Sequence, residues 1–165
     1  MLNPNVLREM APYKKTGALI DTSLLLLLFV GSYARDLIQD FKRTQQYSEQ
    51  DFDIIAELAQ FFHPVATTPN ILTEVSNFCG QLPGGIHRDV FENFRQQVYV
   101  LTEIYVPSRE ASDIEEFCFL RLTDSGIAIA AERGLLVITV DFELSNRLAA
   151  KSFPVINFNH LRSIL

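Results

Sequence analysis

The chain has only two cysteines, three histidines and no tryptophan among its 165 residues. Cys79 and Cys118 are far apart, form no CxxC pair and sit in apolar surroundings. Neither a disulfide framework nor a cysteine-based zinc site is expected, and a reducing, cytoplasmic setting fits. His63, His87 and His160 are scattered, which leaves no histidine metal cluster. Without Trp, the aromatic content is dominated by thirteen Phe, a composition suited more to packing than to exposed stacking platforms. Basic residues are outnumbered 14 to 20, for a net charge of −6. That argues against coating nucleic acid through bulk positive charge, but not against a nuclease whose acids are concentrated in one site. The longest apolar run, Ser23 to Gly31, falls well short of the roughly 18 residues a membrane span needs. Lys14 and Lys15 lead into a stretch that already contains Asp21, with no small-residue cleavage pattern after it, so no signal peptide is expected either.

What is present is ordinary globular material: 48% hydrophobic and 21% charged residues, enough for one domain with a full core. Residues 1–17, with Pro4 and Pro12, read as an N-terminal arm, and 18–165 as the domain. Short apolar strands, "ALID", "PVATT", "LLVIT" and "FPVINF", alternate with helical stretches. Such alternation implies a parallel sheet with helices on both sides. "TSLLLLLFVGSYARDLIQDFKRT" reads as helix with a break near Gly31, and Ser48 with Asp51 as a capping start for "DFDIIAELAQFF". Thr68-Pro69 is a helix entry. "HRDVFENFRQQVYVLTEI" has helical spacing, "YVPS" is a strand end or a loop, and residues 110–121 look helical. Thr123 caps "DSGIAIAAER", and Gly134 supplies its left-handed stop.

In a parallel sheet, ligands collect beyond the carboxyl ends of the strands. Asp21 ends the first strand, Asp141 follows "VIT", and Asp124 opens a helix. Glu74 lies on the helix after the second strand, sharing a polar face with Asn70, Thr73 and Asn77. Taken singly, the three aspartates read as helix caps or dipole partners and Glu74 as a solvated helix residue. Taken together, four acids from four segments fall on one rim. Carboxylates so gathered repel one another unless a counter-charge is supplied. Oxygen-only ligation without His or Cys suits Mg²⁺ or Mn²⁺.

At this point the chain resembles the PIN-domain family of metal-dependent nucleases. The resemblance runs from about Ala18 to Arg162, on "LIDTS", "TPNILTEVSN", "LRLTDSGIAIAAERGLLVITVDFEL" and "FPVINFNHLR". It implies a three-layer α/β/α sandwich with a short parallel sheet. It also implies that Asp21, Glu74, Asp124 and Asp141 bind one or two Mg²⁺ or Mn²⁺ ions and cleave RNA, with Thr22 and Thr139 supporting the acids and Asn70 beside them. Many members are toxins of toxin–antitoxin pairs, so an inhibitory antitoxin partner and a homodimer are further implications. The N-terminal arm and the generous segments at 33–62 and 83–115 depart from the usual toxin pattern.

Removing the four acids from the count leaves 16 acids against 14 bases, so electrostatics no longer forbids RNA. Arg35, Arg88, Arg95, Arg121, Arg147 and Lys151 are candidate phosphate contacts. Two other readings compete. One is a non-catalytic PIN-like binding or regulatory module. The other is aspartyl phosphotransfer from Asp21, whose usual second acid two residues on is here Ser23.

Overall fold

The computed structural model describes residues 4–164. Five strands form one sheet: β1 (Ala18–Ile20), β2 (Val65–Thr67), β3 (Thr102–Glu103), β4 (Leu136–Thr139) and β5 (Val155–Asn157). Among the described residues ten α-helices accompany them: α1 (Pro4–Met10), α2 (Thr22–Tyr33), α3 (Leu37–Asp40), α4 (Glu49–Phe61), α5 (Pro69–Cys79), α6 (His87–Val100), α7 (Ser108–Ser112), α8 (Phe117–Ala131), α9 (Phe142–Ala150) and α10 (Phe158–Ser163). The arrangement is a three-layer α/β/α sandwich, consistent with the PIN superfamily. Every strand pair is parallel, in the order β3-β2-β1-β4-β5. Consecutive strands step outward from β1 to β3, and the chain then crosses back to place β4 on the other side of β1. The reversal between β1 and β4 is the topological switch point, where the two connections diverge and open a crevice beyond the strand ends.

Leu19 and Ile20 of β1 and Val137 and Ile138 of β4 are fully or almost fully buried, as expected for strands covered on both faces. Burial also explains the apolar run after Asp21. Leu24 to Leu27 of α2 are all within 1% of complete burial, and α2 packs against α4, α5 and α6. A helix enclosed all round needs apolar residues all round, not a stripe. The break expected near Gly31 comes just past it, where α2 ends at Tyr33 ahead of α3, so Gly31 itself is still helical. Glycine is there for space: a Cβ would stand 2.3 Å from Cδ2 of Phe52 on α4. Ser48 and Asp51 form a reciprocal capping box at the start of α4.

Other boundaries shift. The helix expected through Ile104 stops at Val100, because Thr102 and Glu103 pair with Ala66 and Thr67 as an edge strand. The helical stretch expected over 110–121 is divided between α7 and α8, and α8 is itself interrupted at Arg121. Gly134 takes a φ of +83° after α8 and ends it as expected. Ahead of β1, Val6 and Met10 of α1 are buried against the core. No helix among the described residues is long and apolar enough to cross a membrane.

Candidate functional site

The carboxyl end of β1 is fixed against β4. The Asp21 backbone N–H donates to the carbonyl of Ile138 at 3.0 Å, which extends the parallel ladder one residue past β1. Asp21 therefore stands at the switch point, 6% exposed. Thr139, the last residue of β4, donates its hydroxyl to Asp21 Oδ2 at 2.5 Å. The same hydroxyl accepts the Asp141 backbone N–H at 2.9 Å. One side chain thus couples the tip of β1 to the start of α9. Asp141 caps α9, its Oδ1 accepting from the Leu144 N–H at 2.8 Å.

Glu74 reaches the same place from the second turn of α5. Its Oε2 accepts from the Thr22 hydroxyl at 2.9 Å and its Oε1 from the Thr123 hydroxyl at 2.6 Å. Thr123 is therefore not the helix cap expected of it; its hydroxyl is committed to another segment. Asp124 follows it on α8 and accepts no hydrogen bond among the described residues.

Asp21, Glu74, Asp124 and Asp141 all line one cavity of about 760 Å³, together with Thr22, Ser23, Thr123, Arg121 and Phe142. A smaller lobe of about 240 Å³ adjoins it, sharing Leu120, Arg121, Asp124 and Asp141 and adding Phe119 and Glu143. Thr139 lies behind the wall, fully buried. Asn70, on the first turn of α5, is half-buried and outside the cavity lining. Another cavity, about 740 Å³ between α1, β5 and α10, has Glu9 as its one acid. Carboxylate density therefore distinguishes the first.

The electrostatics follow from this crowding. Burial pushes the Asp124 carboxyl up to about 7, and repulsion by Asp21, Asp141 and Glu74 adds to it, with Arg121 opposing. Burial also raises Asp21 above the ordinary carboxylate range, against the Thr139 hydrogen bond and with help from Asp141 and Glu74. The contrast between the two is physical: Asp21 has the Thr139 hydroxyl as a donor, and Asp124 has none among the described residues.

The donor set is all oxygen, carboxylate and hydroxyl, which is the chemistry of a hard divalent cation. Among the described residues, however, no three His, Cys, Asp or Glu side chains meet as a ready-made metal cluster. Several of the oxygens are instead held by threonine hydroxyls and by the start of α9. Of the basic residues expected near phosphate, Arg121 lines the cavity. Arg35 pairs with Asp53, Arg95 with Glu92, Arg147 with Glu143, and Lys151 with Glu116.

Sequence reasoning missed the Thr123 contact to Glu74 and the place of Phe142 at the cavity. Both are adjacent to acids that were singled out, but adjacency alone does not say which way a side chain turns. No protein-family model matches the chain, and no curated protein does either.

Proposed function

We propose that this protein is a Mg²⁺- or Mn²⁺-dependent ribonuclease, with Asp21, Glu74, Asp124 and Asp141 as the metal-holding and catalytic acids. The observation that carries the reading is the four carboxylates on one cavity, with the Asp124 carboxyl pushed up to about 7 by its surroundings. A site built only to stabilise the fold gains nothing from burying a carboxyl among other acids, whereas a site that receives a cation gains a strong counter-charge. A bound divalent ion supplies Lewis acidity toward the oxygens of a phosphodiester.

The chain's own residues do the rest. Asp21 and Asp141 are held at adjacent strand ends through Thr139, so their spacing is set by the sheet. Thr22 and Thr123 orient Glu74 through both of its oxygens. Asp124 has the free lone pairs and the raised proton affinity, and it gains most from a cation. RNA is the substrate in this reading, with an inhibitory antitoxin and a second copy of the chain as partners.

The test is cleavage of a labelled single-stranded RNA with Mn²⁺, with chelator, and by Asp21→Asn. Cleavage by the wild-type protein in Mn²⁺ alone, lost in chelator and in the variant, is expected. A folded wild-type protein that leaves RNA intact in both Mg²⁺ and Mn²⁺ overturns the reading. That outcome favours the non-catalytic binding module, for which the hydrogen-bonded, unassembled state of the acids speaks.

A further inference from the structure

At Arg121 the backbone adopts φ 61° and ψ −171°, a region that glycine enters freely and residues with a Cβ enter under strain. Nothing in local sequence preference favours arginine there, since its flanking residues Leu120 and Leu122 are ordinary helix formers. The consequence of the kink is positional. It interrupts α8 one turn ahead of Asp124 and sets the Arg121 side chain on the wall of both the acid-lined cavity and its adjoining lobe. Arg121 is the one basic residue lining either space. Among the described residues no hydrogen bond or ion pair holds its guanidinium, although it lies near enough to Asp124 to favour that carboxylate's charged form. Arg147 is bound to Glu143 and stacked 4.4 Å over the ring of Phe119, and Lys151 is paired with Glu116, while Lys42 and Arg43 line a separate cavity that meets the acid-lined one at Ser23 and Phe78.

We infer that Arg121 is a substrate-binding residue, its guanidinium gripping a phosphate of a single-stranded nucleic acid chain entering the acid-lined cavity. The inference rests on the nuclease reading for the location of the scissile bond and deepens it by naming the group that receives the substrate's charge. A guanidinium suits this task because its planar fork donates to two phosphate oxygens at once. An acidic cavity also needs such a group, because four carboxylates on one wall repel a polyanion. The exposed Phe142 beside it offers a face to an unpaired base, which a duplex keeps stacked inside.

The experiment compares wild type, Arg121→Gly and Arg121→Lys. Binding of a fluorescein-labelled single-stranded RNA is measured by anisotropy across a salt series in Ca²⁺. Cleavage in Mn²⁺ is measured alongside. Glycine suits the backbone, so Arg121→Gly is expected to melt at or above the wild-type temperature. It should bind RNA about tenfold more weakly, with a slope of log affinity against log salt shallower by about 0.7, the value for one lost phosphate contact on a single strand. Arg121→Lys should restore the slope and only part of the affinity. An Arg121→Gly protein with wild-type affinity and slope overturns the inference, as does wild-type protein that binds no RNA. Arg121-dependent binding without cleavage in Mn²⁺ sinks the nuclease reading and leaves the phosphate contact standing. Cleavage with affinity indifferent to Arg121 does the reverse.

Discussion

Replacing Asp124 by Asn tests whether the four acids strain one another in the absence of a cation. Asn is nearly isosteric with a protonated Asp and cannot ionise. In the folded protein the Asp124 carboxyl is pushed up from 3.8 to about 7, by burial first and by its acidic neighbours second. Between those two pH values the folded state holds a proton that the unfolded chain has released, so stability falls as pH rises through this window. The full span of about three pH units corresponds to a ceiling of roughly 4 kcal/mol at about 1.4 kcal/mol per unit. Partial solvation of the group screens this, and about 2 kcal/mol is the realistic gain for the variant. For a chain of this length, 2 kcal/mol is about 4–8 °C in melting temperature. The assay is thermal unfolding in chelator. The two proteins should melt together near pH 4, and Asp124→Asn should melt higher by that margin at about pH 7.5. Mn²⁺ at neutral pH should then raise the wild type more than the variant. A variant that melts well below wild type at neutral pH in chelator would refute the reasoning and assign Asp124 to holding the start of its helix.

The remaining perturbations probe the supports of the same site. Thr139→Val keeps the shape of the side chain but removes the donor to Asp21 and the acceptor for the Asp141 N–H. A loss of about 2 kcal/mol is expected from the buried groups left unpaired, read by urea denaturation at neutral pH, with Thr139→Ser keeping most of the stability. Gly31→Ala places a Cβ 2.3 Å from the Phe52 ring. Despite the roughly 1 kcal/mol that Ala gains over Gly in a helix, it should destabilise by about 1–3 kcal/mol through overpacking. Pairing it with Phe52→Leu should recover part of that loss, and a Gly31→Ala protein more stable than wild type would show the ring to be free to move aside.

The sheet was legible in the sequence because its strands are short, continuous apolar runs ended by polar residues: "ALI" before Asp21 and "LVIT" before Asp141 admit few other readings. The edge strand β3 was not, because both of its residues are exposed and nothing in "TE" distinguishes two paired residues from the frayed end of a helix. The break near Gly31 was legible, but the reason for the glycine was not, because it depends on Phe52, twenty-one positions away, and a sequence pattern cannot display a tertiary contact. A helix break around Arg121 was legible, since one helical stretch ends at 121 and Thr123 reads as the start of the next, but the positive φ of Arg121 was not, because nothing in an arginine marks it for that conformation.

The same division runs through the site. That Asp21 and Asp141 share a cavity could be anticipated from strand ends alone, because a parallel sheet delivers the residues after β1 and β4 to neighbouring points whatever those residues are, whereas Glu74 and Asp124 reach it from helices. What restrains the acids could not, because the restraints are hydroxyls. Thr22, Thr123 and Thr139 each donate to a carboxylate on a different element, and a threonine in a turn looks the same whether it caps its own helix or reaches across the fold. These three contacts bear directly on the chemistry. They place hydroxyl donors on Asp21 and Glu74, the Leu144 N–H serves Asp141, and Asp124 is left as the carboxylate without a donor among the described residues. A cation entering the cavity would meet Glu74 and Asp141 held by their hydrogen-bond donors, and two carboxyls, Asp21 and Asp124, whose proton affinity burial raises, that of Asp124 to about 7, so its binding must release protons. Metal affinity should therefore climb as pH rises through about 7, and Asp124→Asn should lose the share of that climb that Asp124 carries, together with its share of the proton release seen in calorimetry across buffers of different ionisation enthalpy, leaving what the raised Asp21 contributes.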